Sequence, residues 1–319
     1  MNTLEQIIEL EGRINQSIIG QADVVRNMLI VLLADGNLLM EGLPGLAKTR
    51  AIKSLAKELD GQLNRIQFTP DLLPSDITGS EIYQPESEEK FYFQRGPIFS
   101  NLILADEINR APAKVQSALL EAMEERQVSV AGKTYEMDPF FMVMATQNPV
   151  EQEGTYPLPE AQLDRFLMKI LIDYPDLEAE KQIIRLVREE SKGSQGNNDP
   201  FSPNIIHQAR EKIYEVKVSE SAEQYIVDLI SATRYPGKFS EDLVRWLDYG
   251  ASPRGSIALD RCSRVNAWLN ARDHITSDDV RAVVMQVLRH RLILSYEANA
   301  EGISPDQVIQ EILKNVAVS

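Results

Sequence analysis

The feature that most constrains the fold is an eight-residue segment with two glycines and a lysine, Gly42-Leu43-Pro44-Gly45-Leu46-Ala47-Lys48-Thr49. It follows a short apolar run and precedes a stretch of good helix formers, so a strand, a glycine-bearing turn and a helix succeed one another. Phosphate-binding loops require this context, because loop N–H groups and a helix N-terminus surround the anion. Lys48 would neutralise phosphate charge and Thr49 would place its hydroxyl on Mg²⁺. The alternative is an ordinary helix start after a glycine turn.

Two further polar groups follow apolar runs. Asp106 and Glu107 come directly after Leu102–Ala105, and Asn148 lies just past the run that begins at Phe140. Ligands of open α/β sheets bind at the carboxyl ends of strands. Asp106 would therefore hold Mg²⁺ through water, and Glu107 would polarise the attacking water. Asn148 would orient that water or contact the γ-phosphate. The alternatives are a helix cap for the acidic pair and a turn residue for Asn148.

The order of these segments predicts the architecture. Four apolar runs alternate with helical patterns, which indicates a parallel sheet with helices on both faces. The predicted strands are Leu38–Met40, Leu102–Ala105, Phe140–Ala145 and Phe166–Ile172, and the predicted helices between them are Lys48–Leu59 and Ala113–Arg126. Residues 81–94 and 127–136 interrupt this pattern as hairpins or loops. Helical periodicity dominates after Pro175, with a loop at 191–203, so we predict an α/β nucleotide-binding domain at 1–174 and a smaller all-helical domain at 175–319.

Composition narrows the function. The net charge of −15 disfavours binding to nucleic acids and to anionic membranes. The single cysteine, Cys262, cannot form a disulfide within the chain, and His207, His274 and His290 form no pair with metal-ligand spacing. We see no secretory signal at the N-terminus, and the longest apolar run, Met28–Ala34, is too short to span a bilayer. These observations predict a cytoplasmic protein.

Together the motifs resemble the MoxR family of AAA+ ATPases, whose phosphate loop also has alanine where Ala47 stands. The segments that carry the resemblance follow the family's order over most of the chain. They are the phosphate loop, Phe68-Thr69-Pro70-Asp71-Leu72-Leu73-Pro74-Ser75-Asp76, Ala105-Asp106-Glu107-Ile108-Asn109-Arg110-Ala111, Ala145-Thr146-Gln147-Asn148-Pro149, Leu158-Pro159-Glu160-Ala161-Gln162-Leu163-Asp164-Arg165-Phe166 and Ser252-Pro253-Arg254. The resemblance implies a P-loop AAA+ core with hairpin insertions, followed by a helical lid.

The resemblance also implies roles for individual residues. Asn148 matches the sensor 1 position, Arg165 the arginine finger that reaches a neighbouring subunit's γ-phosphate, and Arg254 the sensor 2 arginine of the lid. Ile18-Ile19-Gly20-Gln21 matches the stretch that lies against adenine. The implied nucleotide contacts are Ile19, Gly20, Gly42, Pro44, Gly45, Leu46, Ala47, Lys48, Thr49, Arg50, Asp106 and Arg254. From the residues alone, Arg165 could equally pair with Asp164 or Glu160, and Arg254 could be an ordinary helix-start arginine.

We therefore expect an enzyme that binds ATP and Mg²⁺, with Glu107, Lys48, Asn148, Arg165 and Arg254 carrying hydrolysis. The resemblance implies a homo-oligomer, a hexameric ring, that matures or activates client complexes with proteins carrying a von Willebrand factor A domain. Arg110 would be an inter-subunit contact. Two alternatives stay open: a nucleic-acid motor, which the acidic charge disfavours, and a scaffold that binds nucleotide with negligible turnover.

Overall fold

A five-stranded parallel sheet forms the centre of the first half of the chain. The computed structural model describes residues 1–42, 48–86, 90–149, 154–190 and 199–317. The strands, in their spatial order, are β2 (Leu63–Gln67), β5 (Leu102–Asp106), β8 (Met142–Gln147), β1 (Leu38–Gly42) and β9 (Met168–Ile172). Four of them, β1, β5, β8 and β9, confirm the predicted strands. The edge strand β2 was not predicted from the sequence.

Helices cover both faces of this sheet, as predicted. Successive side chains of a strand point to opposite faces. Leu38 and Met40 accordingly join one hydrophobic cluster with α1 (Thr3–Ser17), α2 (Ala22–Leu33) and α3 (Lys48–Glu58), whereas Leu39 joins a second cluster with α5 (Ala113–Glu125). The helices of this half are α1 (Thr3–Ser17), α2 (Ala22–Leu33), α3 (Lys48–Glu58), α4 (Pro74–Thr78), α5 (Ala113–Glu125) and α6 (Glu160–Leu163), with 3₁₀ turns at Pro97–Phe99 and Ile108–Arg110.

Two antiparallel hairpins project from this domain where the sequence predicts hairpins or loops. The first pairs β3 (Gly79–Tyr83) with β4 (Phe91–Arg95), and the second pairs β6 (Gln127–Val130) with β7 (Lys133–Glu136). The ring of Phe93 stacks on that of Tyr135, with centroids 4.1 Å apart, so the hairpins contact each other.

The described residues of the second half are mostly helical, with a short strand pair as an exception. Its helices are α7 (Leu177–Glu190), α8 (Asn204–Tyr214), α9 (Glu220–Arg234), α10 (Glu241–Trp246), α11 (Pro253–Leu269), α12 (Ser277–Leu288), α13 (Tyr296–Ala300) and α14 (Pro305–Asn315), with a 3₁₀ turn at Pro236–Lys238. The exception is a short antiparallel pair, β10 (Leu247–Tyr249) with β11 (Ile293–Leu294). Most of the predicted loop at 191–203 lies outside the described residues.

The helical half packs directly on the sheet. One hydrophobic cluster continues from the β1 face through α2 into α8, α11 and α12. The division at residue 174 therefore stays a prediction, since a common core crosses it. Within the part of the chain that the structure describes, no helix has both the length and the apolar composition needed to cross a membrane.

The start of α12 carries a fully enclosed carboxylate. Asp279 has no exposed side-chain surface. It accepts hydrogen bonds from Arg272, from Asn266 (2.9 Å) and from the backbone and hydroxyl of Thr276 (both 2.8 Å). Burial raises the pKa of Asp279, but these hydrogen bonds outweigh it and leave the pKa below its ordinary value.

We predict that Asp279→Ala lowers the free energy of unfolding by about 3 kcal/mol at pH 7, because it leaves buried donors unpaired. A depressed folded-state pKa stabilises the fold above the unfolded pKa, and this contribution is lost as pH falls through the folded pKa. The difference between wild type and variant should therefore narrow below about pH 4 in urea unfolding. The exposed neighbour Asp278 is the control. Equal effects of Asp278→Ala and Asp279→Ala would contradict the prediction.

Candidate nucleotide-binding site

The phosphate loop joins β1 to α3. Gly42 ends the strand and Lys48 begins the helix. Pro44, Gly45, Leu46 and Ala47, with Leu43, lie outside the described residues. A Cβ at Gly42 would lie 2.7 Å from the carbonyl oxygen of Ile172 on β9, so the close approach of these strands excludes a side chain there.

Lys48 points back across the mouth of this loop. Its Nζ donates to the carbonyl oxygen of Gly42 at 2.7 Å. Burial lowers the pKa of Lys48, and the nearby carboxylates of Asp106, Glu107 and Glu41 oppose that shift. The site therefore holds a half-desolvated ammonium beside carboxylates, an arrangement suited to a phosphate with a divalent cation.

Asp106 ends β5 at the same edge of the sheet. Its Oδ1 accepts from the hydroxyl of Thr146 at 2.6 Å, and its Oδ2 accepts from Nη2 of Arg65 at 2.6 Å. Because both oxygens already have a donor, water-mediated contact with Mg²⁺ fits this carboxylate better than direct ligation.

Glu107 has a left-handed backbone, with φ 57° and ψ 51°. Its N–H donates to the hydroxyl of Thr146 at 2.9 Å. Its carboxylate accepts from Nε2 of Gln67 at 2.8 Å and from Nη1 of Arg110 at 3.0 Å. In the single chain, Arg110 thus contacts its own Glu107. The Thr146 hydroxyl bridges the acidic pair, with Thr146 only 1% exposed.

The other predicted contacts divide between the loop and a neighbouring cavity. Thr49 is the second residue of α3, and Asn148 is buried just past the end of β8. Nε of Arg50 donates to the carbonyl oxygen of Ser17 at 2.6 Å, which ties α3 to the end of α1. Arg50 thus lies beside the segment that resembles an adenine-binding stretch.

That segment lines a cavity of about 810 Å³ between the α1–α2 connection, the end of β9 and α7. Ile19 and Gly20 are among its lining residues. Gly20 has φ 78°, and a Cβ there would lie 2.6 Å from that of Ala179. Because Gly42 is paired with Ile172 at the end of β9, this cavity adjoins the phosphate loop. Its size and position suit a nucleotide base.

The structure does not bring Arg165 and Arg254 to this edge. Arg165 lies before the start of β9, where its Nη1 pairs with Glu124 at 2.9 Å and donates to the carbonyl oxygen of Leu120 at 2.9 Å. Arg254 pairs with the same Glu124. Both arginines line a cavity of about 430 Å³ that also includes Asn37, just before β1.

This second cavity therefore lies at the amino ends of the strands, whereas Lys48 and Asp106 lie at the carboxyl ends. The two ends of a five-residue strand lie roughly 15 Å apart. Neither arginine is therefore near Gly42 or Lys48, the described residues on either side of its own chain's phosphate loop. Arg165 pairs with neither Asp164 nor Glu160, the partners that the sequence offers.

Four contributors were missed from the sequence. They are Arg65 and Gln67 on the unpredicted strand β2, Thr146 on β8 and Glu124 at the end of α5. Only the position of β2 could have indicated Arg65 and Gln67, because β2 ends beside β5 and Gln67 is paired with Asp106. Among the described residues, no cluster of three His, Cys, Asp or Glu side chains could hold a metal ion by itself. Phosphate oxygens and water would have to complete a Mg²⁺ site.

Four features define an AAA-type nucleotide-binding protein. They are the parallel sheet, the glycine-containing segment before α3, the acidic end of β5 and the helical second half. Residues 37–168 match the family described as "ATPase family associated with various cellular activities (AAA)", and residues 246–312 match the AAA lid domain.

Individual relatives narrow the class. Chaperone MoxR1 of Mycobacterium tuberculosis is 45% identical over 324 residues, covering 100% of this chain and 83% of the relative. Protein MoxR of Methylorubrum extorquens is 32% identical, covering 93% of this chain and 91% of the relative. A crystal structure from Cytophaga hutchinsonii has 46% identity and a TM-score of 0.91, covering 99% of this chain and 96% of that one. The chain belongs to the MoxR family of AAA+ ATPases.

The bridging hydroxyl of Thr146 gives a test of the site. We predict that Thr146→Val lowers kcat for ATP about tenfold, equivalent to roughly 1.4 kcal/mol, because Asp106 and Glu107 lose their common partner. The affinity for ATP should stay within about twofold, since Lys48 is untouched. The steady-state ATPase rate and fluorescent-ATP titration measure the two quantities. Thr78→Val, in α4, is the control, and equal rates for both variants would contradict the prediction.

Proposed function

We propose that this chain hydrolyses ATP in a Mg²⁺-dependent reaction, at sites completed between the subunits of a hexameric ring. The ring would use this reaction for chaperone-like maturation or activation of partner protein complexes. The observation that carries the proposal is the division of the predicted residues between two edges of the sheet. Lys48, Asp106 and Glu107 converge at one edge, while Arg165 and Arg254 share a cavity at the other.

Within one subunit, each residue has a task that its position supports. Lys48 would bind the β- and γ-phosphates, and Thr49 and Asp106 would hold Mg²⁺, which would neutralise phosphate charge. Glu107 would orient the attacking water and take its proton. Asn148 would orient the same water or contact the γ-phosphate.

A second subunit would supply the positively charged guanidinium groups of Arg165 and Arg254. A guanidinium beside the γ-phosphate stabilises the charge that develops in the transition state. Arg165 and Arg254 lie too far from their own phosphate loop to do this, but their cavity faces a different edge of the molecule. A head-to-tail ring would bring that edge against the nucleotide of the next copy.

The partners follow from the family. A relative with 45% identity is named a chaperone. We propose that client proteins, or proteins with a von Willebrand factor A domain, bind this chain, and that the two hairpins contribute to the contact. The first hairpin exposes the aromatic rings of Tyr83 and Phe91, whose centroids lie 5.1 Å apart. The net charge of −15 supports a protein that binds neither nucleic acids nor anionic membranes, and we propose a cytoplasmic location.

Subunit mixing tests the shared site. We predict that Arg165→Ala lowers kcat by about 10³-fold or more, because transition-state charge is left uncompensated. Glu107→Gln should also be nearly inactive. A mixture of the two variants should regain about a quarter of the wild-type rate, since random rings place Glu107→Gln subunits beside intact sites that need an arginine. The steady-state rate per subunit measures this. Arg245→Ala, in an exposed ion-pair network, is the control.

A mixture no faster than its parent variants would contradict a site completed between subunits. A wild-type rate per subunit that rises steeply with protein concentration and then reaches a plateau would support it independently.

Removal of divalent cations tests the other half of the proposal. We expect EDTA to abolish turnover and excess Mg²⁺ to restore it, because without a divalent cation the carboxylates of Asp106 and Glu107 would repel the triphosphate. Phosphate release in wild type measures this. Full turnover in EDTA would contradict the role given to Mg²⁺.

A further inference from the structure

The residue before Arg165 is held by the helical half of the chain. Asp164 accepts a hydrogen bond from Nε of Arg291 at 2.8 Å and one from the hydroxyl of Ser252 at 2.7 Å. Its two partners lie 88 and 127 positions away along the chain. The segment carrying Arg165 therefore depends on how α11 and α12 dock against it.

Arg291 binds this segment on both sides of Arg165. Besides Asp164, its guanidinium donates to the carbonyl oxygens of Phe166 at 2.7 Å and Leu167 at 3.1 Å. It also donates to Val287, within its own part of the chain. The Arg291 side chain is only 3% exposed. Residues 164, 166 and 167 are thus fixed by one buried planar group, while the side chain of Arg165 points away to Glu124.

Asp164 also connects Arg165 to Arg254. Ser252 caps the N-terminus of α11, and its hydroxyl accepts from the backbone N–H of Arg254 at 3.1 Å. The same hydroxyl donates to Asp164. A single carboxylate therefore lies between the Arg165 segment and the first turn of the helix that carries Arg254.

We propose that Arg291 is a positioning residue for ATP hydrolysis, holding Arg165 and, through Asp164 and Ser252, Arg254 in the geometry that enters the neighbouring site. This inference rests on the proposed function, because it concerns arginines that act on another subunit's nucleotide. Its physical basis is the steep dependence of rate on placement, since a displacement of about 1 Å costs roughly a hundredfold.

A purely stabilising role explains the arrangement less well. A buried ion pair is weak evidence for stability, because desolvation offsets its Coulombic attraction. Three of the groups that Arg291 binds, Asp164 and the carbonyls of Phe166 and Leu167, flank a single residue. An arginine that only attached α12 to the sheet would not require contacts on both sides of Arg165.

The test is Arg291→Lys, which keeps the charge but replaces the fork with a single ammonium that cannot reach all these acceptors. We expect kcat for ATP to fall at least about tenfold, while KM changes less than about twofold because the subunit's own ATP site lies at the other edge. Arg289→Lys is the matched control. Arg289 lies two residues before Arg291 and is only 11% exposed, but it pairs with Asp306 and donates to the carbonyl oxygen of Lys169 rather than binding residues 164–167.

Mixing separates positioning from folding. Arg291→Lys subunits keep an intact site of their own, so Glu107→Gln neighbours should supply them with a correctly held Arg165. We expect the mixture to exceed the mean of its two parents severalfold, with the melting temperature of Arg291→Lys close to that of Arg289→Lys. A loss of rate that mixing does not restore would overturn the inference in favour of a structural role.

A milder variant covers the case in which Arg291→Lys fails to fold. Ser252→Gly removes the hydroxyl that bridges Asp164 and α11, while glycine is tolerated at a helix N-cap with little loss of stability. We expect a smaller fall in kcat, again restored by Glu107→Gln subunits. A wild-type kcat for Ser252→Gly would overturn the inference.

Arg165→Ala distinguishes this inference from the proposed function. If Arg165→Ala is inactive and restored by mixing, but Arg291→Lys keeps the full wild-type kcat, only the positioning role fails. If Arg165→Ala itself keeps full activity in the assembled protein, the arginine supplied between subunits fails, and the role of Arg291 fails with it.

Discussion

Parallel pairing of the five central strands is the constraint on which the rest of the molecule depends. It places the carboxyl ends of β1, β5 and β8 at one edge, so a lysine, an acidic pair and a buried asparagine meet although they lie far apart in sequence. The same pairing places the segment before β9 at the other edge. A chain folded in this way gathers its candidate phosphate-binding residues at one end of the strands, and in the proposed function Arg165, at the other end, would act on a second copy.

The helical half extends this constraint. Its core is continuous with one face of the sheet through α2, so α11 and α12 are seated against the strands. Buried polar contacts then fix the docking at the segment before β9, where His290 and Arg291 both bind the carbonyl oxygen of Phe166. A movement of the helical half would therefore displace Arg165 and Arg254, because Arg291 and Ser252 of that half bind Asp164.

The sequence predicted the four strands that contain a continuous apolar run, including the edge strand β9, and missed β2, which has no such run. β1, β5 and β8 contain continuous apolar runs, whereas β2 has the polar residues Asn64, Arg65 and Gln67 and only two apolar ones. Those polar side chains are there because Arg65 and Gln67 reach Asp106 and Glu107. The placement of Arg254 was equally hidden. It depends on contacts between residues 88 or more positions apart, which leave no local periodicity to read.

The backbone beside Arg165 is held by buried contacts, whereas the guanidinium groups of Arg165 and Arg254 are held by partly exposed ion pairs. Their guanidinium groups pair with Glu124 at a partly exposed surface, where such ion pairs contribute only about 0–1 kcal/mol. Breaking the buried pair of Arg291 and Asp164 by removing one partner costs about 3–5 kcal/mol. A neighbour's phosphate could therefore replace Glu124 at little cost, while the backbone beneath Arg165 stays where Arg291 holds it. This difference in cost favours a preformed arginine face over one built during assembly.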